Sequence, residues 1–259
     1  MRRLVQASAG VATAAAMIAF PLAPRASAAR RVVTDVVVAG LAVVTTTAAS
    51  ARWGPARTAI GAVVTASGTG LVERIGTSTG VPFGRYRYTG RLRPVVAGVP
   101  VAVPAAWWAM AVPARESAHA ALGRRSTVAT RIVVGAAALT AWDLFLDPQM
   151  TAEGFWRWPG GGRYRGIPLS NFAGWFVTGL AVMSVLEVVL PAGRGTSFAR
   201  SGTRSAHTPD PVLVAEYAAM GAMETVGFGA FFRDRVVAVV GGAAMLPLAA
   251  RAVVALRRG

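Results

Sequence analysis

Cysteine and lysine are both absent from the 259 residues, and histidine occurs only as His119 and His207. Without cysteine there is no disulfide, no thiolate nucleophile and no iron–sulfur ligation, and two isolated histidines do not make an all-imidazole metal cage. Only a carboxylate-rich site is left open to a metal, and none is expected. Charge is scarce as well: 15% of residues are charged and 54% hydrophobic, with a mean hydropathy of +0.50. A soluble domain is far more polar than this, so water is not the main solvent. No Gly-x-Gly-x-x-Gly follows a strand-like run, and Gly160, Gly161 and Gly162 sit in a polar loop, which leaves nucleotide and flavin chemistry without a seat.

The formal charge of +16 comes from 27 arginines against 11 acids. In a soluble chain this would point to nucleic acid. Here the arginines lie in short clusters between apolar runs, as loops and lipid-headgroup contacts do, and no nucleic-acid partner is expected. The uniform choice of arginine reads as codon bias and carries no mechanistic weight.

Windows of about 20 apolar residues predict an all-α, polytopic transmembrane helical bundle of about 7–8 spans, a single integral membrane domain over residues 1–259. The spans fall near 4–23, 33–50, 58–72, 95–113, 128–146, 171–190, 212–232 and 236–254. Segment 1–28 reads either as a first helix or as a signal-like segment, because Arg2 and Arg3 precede an apolar run and Ala26-Ser27-Ala28 suits cleavage. Pro247 interrupts the last span, a break that neighbouring helices can re-satisfy. The Gly, Ser, Thr and Arg-rich stretch 192–211 reads as a solvated, mobile linker. The expected location is the bacterial plasma membrane, multi-pass. Fourteen arginines on one side against thirteen on the other set no orientation, and no pattern indicates an oligomeric state.

A carboxylate near the bilayer centre costs roughly 2.5–3.5 kcal/mol on insertion scales, so each acid inside a span needs a local reason. Asp143 and Asp147 are four apart and project from one helix face. Like charges at that spacing in a partly dry site favour retention of a proton, as a general acid requires. Against this, Asp147 can simply end the helix before Pro148 while Asp143 pairs with an arginine. Glu224 and Asp35 are secondary candidates.

Successive spans alternate direction, which groups the polar residues without fixing orientation. Glu73, Asp143, Asp147, Asn171, Trp175, Asp35 and Glu224 fall toward one side, together with two aromatic-rich loops, 73–93 and 148–170. Glu116, His119, Glu187 and Glu216 fall toward the other. The first side also carries Phe83, Tyr86, Tyr88, Phe155, Trp156, Trp158, Tyr164 and Phe172. Taken singly, such rings are expected to line the membrane interface. Beside carboxylates, their concentration suits a carbocation, which a desolvated ring face stabilises by up to about 2 kcal/mol without offering a nucleophile.

Two blocks carry a family resemblance. One is Glu73-Arg74-Ile75-Gly76-Thr77-Ser78-Thr79-Gly80-Val81-Pro82-Phe83-Gly84-Arg85-Tyr86-Arg87-Tyr88. The other joins Ala141-Trp142-Asp143, Asp147-Pro148-Gln149-Met150, Gly154-Phe155-Trp156-Arg157-Trp158 and Tyr164-Arg165-Gly166-Ile167-Pro168-Leu169-Ser170-Asn171-Phe172-Ala173-Gly174-Trp175. Across about 60–191 the chain resembles the carotenoid 1,2-hydratase family, which includes bisanhydrobacterioruberin hydratases of carotenoid biosynthesis. The resemblance implies an integral membrane enzyme that adds water to the terminal isoprenoid double bond of an acyclic carotenoid, giving a tertiary alcohol with no cofactor. Its partners would be the carotenoid, water and membrane lipid. Protonating such an alkene asks for one acid, a cation-tolerant wall and a held water. Asp143 is the expected donor, with Asp147 or Glu73 as electrostatic partner or water-orienting base. Trp142, Trp156, Trp158, Tyr164, Trp175, Phe83 and Tyr86 are expected against the substrate, and Asn171 to hold the water through an amide that both donates and accepts.

Two other classes fit part of the pattern. A membrane prenyltransferase, lycopene elongase-like, uses aspartates four apart to hold magnesium diphosphate, but it needs a second acidic motif and no other Asp-x-x-x-Asp occurs. A non-catalytic carotenoid- or lipid-binding protein, its acids merely paired with arginines, would bind without turnover.

Overall fold

A computed structural model describes residues 1–24, 27–192 and 208–258. The described residues form eight α-helices: α1 (Arg2–Ala19), α2 (Ala28–Trp53), α3 (Pro55–Thr79), α4 (Ala102–Leu122), α5 (Val128–Ala152), α6 (Leu169–Val189), α7 (Pro211–Val226) and α8 (Arg235–Arg258). Among the described residues, five helical stretches, formed by α1 with its short extension to Leu22, α2, α5, α6 and α8, are long and apolar enough to cross a membrane. The protein is a polytopic transmembrane helical bundle. A helix satisfies all its backbone groups internally, which is why the apolar runs take this form in lipid.

At the centre stands α4. It packs against α2, α3, α5, α6, α7 and α8, and every residue from Trp107 to Ala121 is buried. Its position differs from the expected span at 95–113, because Val95–Val96 and Val99–Pro100 pair as a small hairpin, β2 and β3, before the helix begins. The helix then runs on through Pro113 to Leu122. It therefore carries Arg115, Glu116 and His119 into the interior, where partners on other elements hold the charges. Glu187 accepts from Arg115 Nε at 2.7 Å and from Arg131 Nη2 at 2.6 Å, and Arg115 and Arg52 flank Glu116. Of the acids assigned to that side of the bundle, Glu116 and Glu187 are thus ion-paired, whereas Glu216 accepts a hydrogen bond from Thr45.

α5 likewise continues to Ala152 with Pro148 inside it, so Asp147 does not end the helix. α7 closes in a π-helical turn at Gly227–Phe231. Asp210 caps α7 by accepting from the Val212 and Leu213 amides. Most of the stretch expected as a linker, 193–207 with His207, and Ala26 of the cleavage-like tripeptide lie outside the described residues. α1 packs along α2.

The two aromatic loops lie on one side, as helix parity requires, and there they meet. Arg87–Tyr88 (β1) pairs antiparallel with Trp156–Arg157 (β4), Tyr88 opposite Trp156. Trp158 Nε1 donates to Phe83 O at 3.0 Å and the Thr89 amide to Phe155 O at 3.0 Å. This ribbon docks on α6 only because Gly174 has no side chain: a Cβ there would lie 2.7 Å from Pro82 O and 2.9 Å from the Phe83 ring.

Candidate active site

Three helices and the ribbon bring two carboxylate clusters to one place. α3 delivers Glu73, 5% exposed. Its Oε2 accepts from Tyr88 OH at 2.7 Å and from Tyr86 OH, and its Oε1 accepts from Trp107 Nε1 at 3.1 Å. Burial first, and then the Glu73 carboxylate beside them, push both phenols well above the usual tyrosine range, so each stays an O–H donor. Three donors and no cation surround this carboxylate among the described residues.

α5 delivers Asp143 and Asp147, 0% and 3% exposed. Asn171, from the first turn of α6, holds them together: its Nδ2 donates to Asp143 Oδ2 at 2.9 Å and to Asp147 Oδ2. Asp147 Oδ1 accepts from Trp156 Nε1 at 2.9 Å, while Asp143 Oδ1 has no hydrogen-bond partner among the described residues. No ion pair among the described residues reaches either aspartate, so the expected alternative of Asp143 paired with arginine is not what the fold provides. Nor do any three of His, Cys, Asp and Glu among the described residues converge as a metal-binding group.

Rings join the clusters. Tyr88, bound to Glu73, stands edge-on to Trp156, bound to Asp147, at 5.9 Å between centroids. Trp107 stacks on Trp175 at 3.9 Å, and Trp142 meets Trp175 edge-on at 6.1 Å. Both clusters border a cavity of about 440 Å³, to which Glu73, Asp147 and Asn171 present polar groups and Trp142, Trp156, Trp158, Trp175, Phe83 and Tyr86 present rings. These rings are buried. They form an internal wall, not the interfacial belt expected of each alone. Apolar residues of α1, α2 and α7, such as Met17, Val37 and Met223, close the remainder.

Some expected residues lie elsewhere. Asp143 is enclosed behind Asp147 and does not line the cavity. The reason is helical: a residue four positions earlier sits ~6 Å along the axis and ~40° around it, enough to turn the carboxyl into the α5–α6 contact. Tyr164 also leaves the wall, because its hydroxyl donates to Leu144 O at 2.9 Å and its ring packs on Phe172. Asp35 is exposed on α2 and off the cavity. Glu224 lines it from α7. Trp107 was not anticipated as part of the site. A signal for it exists: an indole in the middle of an apolar span needs an acceptor for its N–H, and Glu73 supplies one.

The family described as "Carotenoid biosynthesis protein" matches residues 32–246. The bisanhydrobacterioruberin hydratase of Haloarcula japonica is 34% identical over 118 residues, 45% of this chain and 40% of that protein. The chain thus matches less than half of that relative's length. No solved structure matches significantly.

Proposed function

Because the chain belongs to the carotenoid biosynthesis protein family, we propose that it adds water to the terminal isoprenoid double bond of an acyclic carotenoid, as a hydro-lyase. The single observation that carries this reading is the buried Asp143–Asp147 pair. It has no cationic partner among the described residues, is bridged by one amide, and opens through Asp147 onto a cavity walled by tryptophan. Two carboxyls this close in a dry site hold a proton between them more readily than two charges. A general acid is the result. The relative's printed activity, hydration, is the kind of reaction such an acid begins.

Asp147 delivers the proton to the less substituted alkene carbon, since it is the aspartate that faces the cavity, and Asp143 behind it completes the proton-sharing pair. The π electrons form the new C–H bond, leaving a tertiary cation. Ring faces of Trp142, Trp156 and Trp175 stabilise that cation, each by up to about 2 kcal/mol, and the fixed Glu73 carboxylate adds an opposite charge. Water attacks the cationic carbon. The oxonium loses its proton to Glu73, from which it returns to the aspartates, so the site ends with its starting charge. The reaction is redox-neutral: one C=C bond and one water become one C–H and one C–O bond. A long polyene resides in the hydrocarbon core, and only its end group needs to reach these carboxyls.

Membranes from a host that makes an acyclic carotenoid, with and without this chain, test the proposal. The expected product is heavier by one water for each reacted end, by mass spectrometry. Unchanged pigment, or magnesium-dependent growth of the carotenoid from an isoprenyl diphosphate, would refute it.

A further inference from the structure

The cavity at the carboxyls, about 440 Å³, is of the size that encloses a drug-sized molecule and is too short for a whole carotenoid. The rest of the chain needs an apolar exit. A second hollow of about 620 Å³ begins where the first ends, sharing Met17, Leu41, Met220 and Met223 with it. Its origin lies in helix packing. Both α1 and α7 pack on α2, and a cleft is left between them with α2 as its floor.

One face of α1 lines this cleft, at Arg3, Gln6, Gly10, Thr13 and Met17, the three- and four-residue spacing of a helix stripe. Ala215 and Ala219 line it from α7. Small side chains on both walls make a slot of slender cross-section. From Phe20 at the reaction cavity to Arg3 at the far end, a helix rise of ~1.5 Å per residue gives ~25 Å, most of the ~30 Å hydrocarbon thickness. The slot's polar groups are Glu216, which accepts from Thr45, Thr13, whose hydroxyl donates to Ala9 O on its own helix, and Arg3 and Gln6 at the outer end. Continuity with the reaction cavity, length and apolar walls together select one occupant.

We infer that the α1–α7 cleft is the binding site for the polyene tail of the substrate, which lies along α1 across the membrane while its end group sits against Asp147 and Glu73. The inference rests on the hydratase reading and adds a tail site to it. Such a site makes α1 part of the enzyme.

Gly10 provides the test, because a Cβ there meets nothing within 4 Å and a side chain in a helix interior costs less than glycine. Gly10→Phe and Ala219→Phe fill the slot from opposite walls. Val11→Phe, at a residue of α1 that is 70% exposed and does not line the slot, is the control. Turnover of a long acyclic carotenoid is measured in membranes and normalised to immunoblotted protein. Both slot variants are expected to lose turnover by roughly tenfold to 10²-fold, the scale of a misplaced reacting group, with Val11→Phe at the unmodified level. Unmodified rates in both slot variants, or an equal loss in Val11→Phe, would overturn the tail site while leaving hydration by the unmodified chain intact. Absence of hydration by the unmodified chain would instead defeat the parent reading.

Discussion

Replacing Asp147 by asparagine removes an ionisable proton from the cavity while leaving shape and packing nearly unchanged. Asparagine keeps a carbonyl oxygen for Trp156 Nε1, which now donates to Asp147 Oδ1 at 2.9 Å. What it disturbs is the contact with Asn171, where a second amide replaces an accepting oxygen; a buried bond lost there costs about 1–3 kcal/mol. The larger effect falls on the chemistry. A positioned general acid contributes about 10²–10⁴-fold, or roughly 2.7–5.5 kcal/mol of barrier at 1.36 kcal/mol per decade. Asp147→Asn is therefore expected to lower hydration by that factor with protein abundance preserved. Asp143→Asn should lower it as well, and the double variant should be little worse than the more damaging single one, because groups acting as a unit are not additive. The assay follows hydrated carotenoid over time by mass spectrometry in membranes of matched protein content. Unmodified turnover by Asp147→Asn, or independent multiplicative losses in the double variant, would refute a shared proton as the acid.

Three further outcomes follow from the packing. Glu187→Gln leaves the Arg131 guanidinium, bound at 2.6 Å, without its counter-charge and leaves Arg115 only Glu116 at 3.4 Å, and should destabilise the bundle by roughly 3–5 kcal/mol, read as a lower midpoint of thermal unfolding in detergent. Gly174→Ala forces a methyl against Pro82 O and Phe83, an overpacking of about 1–3 kcal/mol that should lower the midpoint and loosen the ribbon, detected as faster proteolysis in the 80–101 loop. For Tyr86 and Tyr88 the folded-state phenols titrate above their unfolded value of about 10. Their contribution is whole below that pH and is lost as pH rises beyond it, so the midpoint should stay level up to about pH 10 on this account and fall above it, with a smaller fall in Tyr88→Phe.

Hydropathy and helix parity were enough to anticipate much of the architecture. They located eight helical segments, and they put the two aromatic loops on the side of Glu73 and the paired aspartates, because span direction must alternate whatever the packing. The same reasoning misplaced the start of α4, since Val95 to Pro100 is as apolar as a span and differs only in pairing with itself as a hairpin. It also ended the fifth span near 146, and the alternative it offered, a helix stopping before Pro148, fails because α5 continues through that proline to Ala152.

The site was legible in its ingredients and not in its arrangement. The four-residue spacing of Asp143 and Asp147 is a property of one helix, and any α-helix through those residues puts both on one face. Which carboxyl meets the cavity depends on the rotation of α5 against α6, and that is set by Asn171, the Gly174 contact and the α5–α6 packing, all distant in the chain from the aspartates or unreadable from spacing. Trp107 and Tyr88 enter for the same reason: they are bound to Glu73 through space, across 34 and 15 residues of sequence. Composition and periodicity are local quantities, and they determined that this chain lives in a membrane as helices with acids inside. The enclosure of Asp143, the convergence of three donors on Glu73 and the cleft beside α1 are relations between helices, decided only when side chains from separate spans compete for the same space.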